Sequence, residues 1–167
     1  MINQPPNFTH KAQEAILYAQ DLGREKGQQQ VDALHLLAAL LSQEKSLILN
    51  LLERLSVDVQ NLRKRTMGAL SRLPVLTAPQ AFGQFYLTQD MAKVLERARE
   101  EASKFGDEFI SVEHLFLALA GTMTKAREVL DKVEFIRADG GFAAPEIGAL
   151  DYETVLKELA KVRGGQR

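Results

Sequence analysis

The chain has 167 residues, 46% of them apolar, which suits one domain of ordinary size or two small units sharing a core and disfavours disorder. Lys and Arg total 21 against 22 for Asp and Glu, a formal net charge of −1, so the basic excess of a dedicated nucleic-acid binder is missing. There is no cysteine, which excludes disulfides, thiolate metal sites and cysteine nucleophiles and fits a reducing cytoplasm, the expected location.

Met1 to Phe8 is polar and carries Pro5-Pro6, with no apolar stretch behind a basic one to act as a secretory signal. The first helix follows Thr9, a good N-cap, and repeats Ala12, Ala15, Ile16, Ala19 and Leu22 at helical spacing, with Gly27 near its end. A second, shorter helix opens after Asp32 and runs Leu34 to Leu41; it is apolar on several faces and is expected at the buried centre of its unit. Its apolar run Leu36 to Leu41 is far short of a membrane span, so a soluble protein is expected. A third helix covers Leu47 to Leu55 and a fourth Asp58 to Leu73, stopped by Pro74.

The pattern then starts again. Phe8 to Leu41 aligns without a gap on Leu87 to Ala120 at a constant offset of 79, and seven of the 34 pairs are identical, among them Thr9/Thr88, Gly27/Gly106 and His35/His114. Chance gives roughly two or three at ordinary composition, so the coincidence of the apolar positions carries more weight. Met91, Val94, Leu95 and Ala98 continue through Ala102 and Phe105 as the fifth helix, and Ser111 caps a sixth over Glu113 to Ala120. The seventh is expected over Thr124 to Val133 and the eighth over Asp151 to Arg163, with a Tyr152, Val155, Leu156 and Leu159 stripe. No period-2 strand of any length is apparent. The fold class is therefore all-α: two tandem four-helix repeats, eight helices, packed as one pseudo-twofold domain. The first repeat is assigned to 1–73, a linker to 74–86, the second repeat to 87–163 and a tail to 164–167. Glu134 to Ala149 has no counterpart in the first repeat and reads as an inserted surface loop.

Chemistry-bearing motifs are scarce. There is no GxxxxGK[ST] phosphate loop and no HExxH, so no catalytic, cofactor or metal site is expected in this chain. His35 and His114 share one repeat position, in the first turn of the second helix of each unit, and read as packing residues that satisfy local backbone. Glu100-Glu101 and Asp107-Glu108 read as solvated helix faces or a helix-ending turn, and Arg63-Lys64-Arg65 as the exposed side of the fourth helix. What remains is apolar surface. Leu17 projects nearly opposite the core stripe of the first helix and Tyr18 to one side, offering a contact for unfolded peptide or a partner domain, while Ile110 is expected to pack inward like Val31 beside Phe109.

Phe8-Thr9-His-Lys-Ala-Gln, Asp32-Ala-Leu-His35-Leu-Leu-Ala-Ala-Leu40 and Gly106-Asp107-Glu-Phe-Ile-Ser111-Val-Glu113-His114-Leu115 resemble the Clp N-terminal domain family, a double four-helix repeat ahead of the ATPase modules of Clp unfoldases. Leu70-Ser-Arg-Leu73-Pro74 and Arg163-Gly164-Gly165-Gln166 look like the ClpB disaggregase branch. The resemblance implies a domain cut from a longer protein, with ATP and Mg in ATPase modules that follow 164–167. It implies recognition of unfolded or aggregated polypeptide for a hexameric ring, with Thr9, Asp107 and Glu113 as contacts and an apolar groove between the units supplying most of the attraction. Leu17 and Tyr18 complete the candidate substrate-binding set. No nucleic acid or membrane partner is expected, and the isolated domain is expected to be a monomer. The alternative is an adaptor-docking domain of a ClpA or ClpC type. The ClpC branch uses an acidic residue before the histidine in both units; here Glu113 precedes His114 but Leu34 precedes His35, which disfavours a symmetrical phosphoarginine reader.

Overall fold

Thr9 and Thr88 cap the first helix of each repeat by the same bond. Thr9 Oγ1 accepts from the Ala12 amide at 3.2 Å and Thr88 Oγ1 from the Met91 amide at 3.1 Å, satisfying one of the amides that a helix start leaves orphaned. The computed structural model describes residues 7–75, 86–137 and 145–164. In chain order these form α1 (His10–Glu25), β1 (Gln30–Val31), α2 (Ala33–Ser42), α3 (Leu47–Arg54), α4 (Val59–Ser71), β2 (Tyr86–Leu87), α5 (Gln89–Lys104), α6 (Val112–Gly121), α7 (Lys125–Leu130), β3 (Val133–Phe135), β4 (Glu146–Gly148) and α8 (Tyr152–Gly164). The eight helices among the described residues follow the all-α repeat expectation. Residues 76–85 of the expected linker, 138–144 of the expected loop and 165–167 of the tail lie outside the described residues.

The helix ends follow from glycine. Gly27 and Gly106 adopt φ of 69° and 72°, the left-handed region that closes a helix C-terminus without a Cβ penalty. The amides after them reach back to the ends of their helices, Gln28 to the Gly23 carbonyl at 2.8 Å and Asp107 to the Ala102 carbonyl at 2.9 Å. At the centre of each unit, α2 is buried from Ala33 to Leu41 and α6 from His114 to Ala120. Each buried Leu there contributes roughly 1.5–3 kcal/mol, which makes this helix pair the main apolar anchor of the fold.

Two short crossings join the repeats. The Thr9 amide donates to the Ile110 carbonyl at 2.9 Å, and the Ile110 amide to the Asn7 carbonyl at 2.7 Å. At the positions 79 residues away, β1 pairs in parallel with β2, Val31 opposite Leu87, and the Thr88 amide donates to the Val31 carbonyl at 3.1 Å. Each unit thus sends the arm before its first helix across to the first-to-second helix connection of the other. Val31 and Ile110 pack inward as expected, being 0% and 4% exposed.

Two expectations change. The seventh helix stops at Leu130, not Val133, because Val133 opens β3. The inserted segment is not a plain loop: β3 and β4 form an antiparallel pair, Val133 opposite Gly148. That pair docks on the α3–α4 connection, where the Asp58 amide donates to the Glu134 carbonyl at 2.9 Å and the Ile136 amide to the Ser56 carbonyl at 2.7 Å. Strands of two or three residues are too short to leave a period in the sequence.

Candidate functional site

The crossing at Ile110 brings the expected contact residues into one region. Thr9 hydrogen-bonds Ile110, which sits between Asp107 and Glu113 in the turn leading into α6. Asp107 is fully engaged. Its carboxylate accepts Arg163 Nη1 at 2.6 Å and Arg163 Nη2 at 2.9 Å, and His114 Nε2 at 2.8 Å. The hydrogen bonds from Arg163, opposed by partial burial and joined by the bond from His114, hold the carboxyl below the usual aspartate range. Arg163 also lies over the Phe105 ring, 4.5 Å from its centroid. Glu113 is half-buried in the first turn of α6, and its charge is felt by Arg163. Its carboxylate makes no hydrogen bond among the described residues.

The two histidines are capping residues. His114 Nδ1 accepts from the Ser111 amide at 2.9 Å and His35 Nδ1 from the Asp32 amide at 2.9 Å. Each ring therefore completes a capping box in the place normally taken by Glu or Gln, and each carries its proton on Nε2. In the first unit Gln28 stands where Asp107 stands in the second; its Oε1 accepts from His35 Nε2 at 2.8 Å and its Nε2 donates to the Leu70 carbonyl at 2.8 Å. Burial, opposed by Asp32, pushes the His35 pKa down.

Leu17 and Tyr18 lie eight and nine residues beyond Thr9, about 12–14 Å along α1. They are 59% and 46% exposed, Leu17 on the side away from the buried Ala12, Ala15 and Ala19 and Tyr18 to one side of them. Tyr86, Leu87 and Phe109, at or beside the two crossings, are also exposed.

A cleft of about 510 Å³ lies between the repeats where α4 meets α7. Leu34, Ala69, Leu73 and Val129 give it apolar walls, and Arg65, Arg72, Lys125 and Lys132 line it as well. This cleft is therefore mixed, apolar and cationic, and none of Thr9, Leu17, Tyr18, Asp107 or Glu113 lines it. The Arg63-Lys64-Arg65 run is likewise more than an exposed side. Arg63 Nε donates to the Leu41 carbonyl at 2.8 Å, and Arg65 Nη1 donates to the Val129 carbonyl at 3.1 Å and to the Lys132 carbonyl. These carbonyls end α2 and α7, where the helix dipole favours a cation.

A buried charge cluster escaped the sequence reading. Glu101, placed on a solvated face, is 1% exposed. Its carboxylate accepts Arg97 Nε at 2.8 Å and the Tyr152 hydroxyl at 2.7 Å, with Lys104 Nζ at 3.4 Å. Burial pushes this carboxyl up, but the bonds from Arg97 and Tyr152 outweigh it and leave the pKa lowered. The cluster ties α5 to α8. Its signal was visible: a Glu at the repeat position of Leu22, with Arg four residues before and Lys three after.

Among the described residues no group of three or more His, Asp or Glu is placed to hold a metal ion. No described helix is long and apolar enough to cross a membrane.

Comparison with known proteins gives a match to the family model of the Clp repeat (R) N-terminal domain over residues 7–133. The chaperone protein ClpB of Bacillus cereus is 31% identical over 161 residues, 96% of this chain and 17% of that protein. ClpB 1 of Thermosynechococcus vestitus is 39% identical over 118 residues, 71% of this chain and 13% of the relative. The chain thus spans less than a fifth of the length of these relatives. The Hsp104 N-terminal domain from Candida albicans superposes with a TM-score of 0.74 at 19% identity, covering 96% of this chain and 94% of that one, a likeness of fold.

Proposed function

The chain belongs to the Clp repeat N-terminal domain family, and from that premise we propose that it is the polypeptide-recognition domain of a ClpB-type disaggregase. It captures unfolded or aggregated segments and releases them to an ATPase ring; ATP and Mg act in that ring, in a hexamer, in the cytoplasm. This domain binds and does not catalyse. The observation that carries the reading is the exposure of Leu17 and Tyr18 on α1, about 12–14 Å along the helix from the Thr9 end. Burying two such side chains against an extended apolar segment gives modest attraction, roughly 1.5–3 kcal/mol for each one fully covered. A loading domain must let its client go, so the expected affinity is micromolar or looser, about −8 kcal/mol or less favourable.

Within this site Glu113 contacts the client directly, Thr9 fixes the start of α1, and Asp107 acts as a positioning residue through Arg163 and His114. Titrating the labelled domain with unfolded casein while recording NMR spectra tests the proposal. Shifts at Thr9, Leu17, Tyr18 and Glu113, lost in a Leu17→Ser and Tyr18→Ser double variant, are the expected result. No shift at high casein concentration overturns client capture and moves the reading to adaptor docking.

A further inference from the structure

We propose that the α4–α7 cleft is a second binding site, for an extended peptide segment that alternates acidic and apolar side chains. The chain as a whole carries a net charge of −1, so the four cations around this cleft are a local concentration and not the overflow of a basic protein. Arg65 is held in place by the Val129 and Lys132 carbonyls. The side chains of Arg72, Lys125 and Lys132 make no hydrogen bond or ion pair among the described residues. Of the two acidic residues at the rim, Asp131 faces Arg127 at 3.8 Å, which leaves Glu128 as the one carboxylate without an ion pair there. Unpaired cations of one sign around a concavity raise the local concentration of anionic groups.

Charge alone fits several anions, and the walls select among them. Leu34, Ala69, Leu73 and Val129 line the same space, so an occupant that carries only charge leaves that surface wet. Among the described residues no aromatic ring lines the cleft, so they offer no stacking platform of the kind single-stranded nucleic acid uses. A volume of about 510 Å³ falls in the range of roughly 300–1,000 Å³ typical of ligand pockets and admits a few residues of extended chain. A peptide with carboxylates toward Arg72, Lys125 and Lys132 and apolar side chains toward Leu73 and Val129 satisfies both features. It also bridges the two repeats, since α4 belongs to the first and α7 to the second.

The test measures fluorescence anisotropy of a labelled octapeptide alternating Asp and Leu. Matched peptides alternating Lys and Leu, or Asp and Ser, and an oligo-dT strand serve as competitors. The expected result is micromolar binding of the Asp/Leu peptide only, weakened about tenfold or more by Arg72→Glu with Lys132→Glu and weakened by added salt. Both side chains are solvent-exposed, and circular dichroism checks that the double variant folds. Leu17→Ser leaves this affinity unchanged, which separates the cleft from the α1 face. Equal binding of the Lys/Leu peptide, preference for oligo-dT, or indifference to the double charge reversal overturns the proposal. Loss on Leu17→Ser alone assigns the peptide to the α1 face and overturns it as well.

Discussion

Replacing Glu101 by Gln keeps the shape of the side chain and removes its charge, which isolates the electrostatic contribution of the α5–α8 junction. The carboxylate now accepts from Arg97 at 2.8 Å and from Tyr152 at 2.7 Å on different oxygens. A Gln offers one carbonyl oxygen, so one of the two donors faces an NH2 group. Breaking a fully buried pair costs roughly 3–5 kcal/mol, but the Arg97 side chain is 28% exposed and the Lys104 side chain 62% exposed. Water can reach both cations, and the expected loss falls to about 2–3 kcal/mol. For a chain of this length that lowers Tm by roughly 5–10 °C. Urea unfolding at pH 7, with unchanged m, is the measurement. The pH dependence gives a second reading. The folded carboxyl lies below its ordinary pKa, so its stabilisation is present above about pH 4.3 and is lost as pH falls through the folded value. Glu101→Gln therefore flattens the acid limb of the stability profile. A loss under about 0.5 kcal/mol, with an unaltered acid limb, refutes the argument that a charged, buried carboxylate holds α8 to α5.

Tyr152→Phe removes one hydrogen bond to the same carboxylate and is expected to cost about 1.5–3 kcal/mol in urea unfolding. Gly106→Ala is expected to cost about 1–2 kcal/mol from its positive φ. Gly27→Ala costs more, because a Cβ there meets Val75 Cγ1 at 3.2 Å while nothing lies within 4 Å at Gly106; paired thermal melts decide the order. His35 has a lowered folded pKa, so below about pH 6.5 the unfolded chain takes up a proton before the folded one does. Stability then falls as pH drops toward the folded value. The ring nitrogens followed by NMR are expected to stay neutral past the midpoint of an ordinary histidine.

Much of the fold was legible because the repeat is written in residues with a mechanical task. Thr9 and Thr88 are caps, Gly27 and Gly106 take the left-handed turn, and His35 and His114 complete the capping boxes. A position kept for such a reason survives in both copies even when its neighbours drift. What sequence reading missed depends on partners distant in the chain. Glu101 looks solvated until Tyr152, 51 residues away, is placed beside it. Arg63 and Arg65 look like a surface run until the carbonyl ends of α2 and α7 arrive under them. The β3–β4 pair is too short for alternation to register and exists because the α3–α4 connection offers Ser56 and Asp58 as hydrogen-bonding partners. At the candidate site, the outward direction of Leu17 could be read from helical phase, whereas its exposure and that of Tyr18 depended on which neighbouring elements cover α1. The engagement of Asp107 could not, since Arg163 lies 56 residues along the chain.

That engagement decides how Asp107 can serve the site. Each repeat ties the turn before its second helix to the end of its fourth helix. The first does so through the Gln28 amide and the Leu70 carbonyl, the second through the Asp107 carboxylate and the Arg163 guanidinium. A carboxylate cannot donate to a helix-end carbonyl, so the change from Gln to Asp needed an arginine at the other end, and the histidine bridges in both. A client that touched Asp107 directly would have to displace Arg163 from two hydrogen bonds and from the Phe105 ring. Positioning and contact therefore separate in Arg163→Ala. If Asp107 positions the Glu113 turn, Arg163→Ala and Asp107→Asn both lower stability, by about 1–3 kcal/mol, and both weaken casein binding. If Asp107 is itself a contact, Arg163→Ala frees the carboxylate and strengthens binding while Asp107→Asn weakens it. Glu113→Gln, at a carboxylate with no hydrogen bond among the described residues, is expected to weaken binding with a stability change within about 0.5 kcal/mol. Stronger casein binding by Arg163→Ala is the result that rejects the positioning argument.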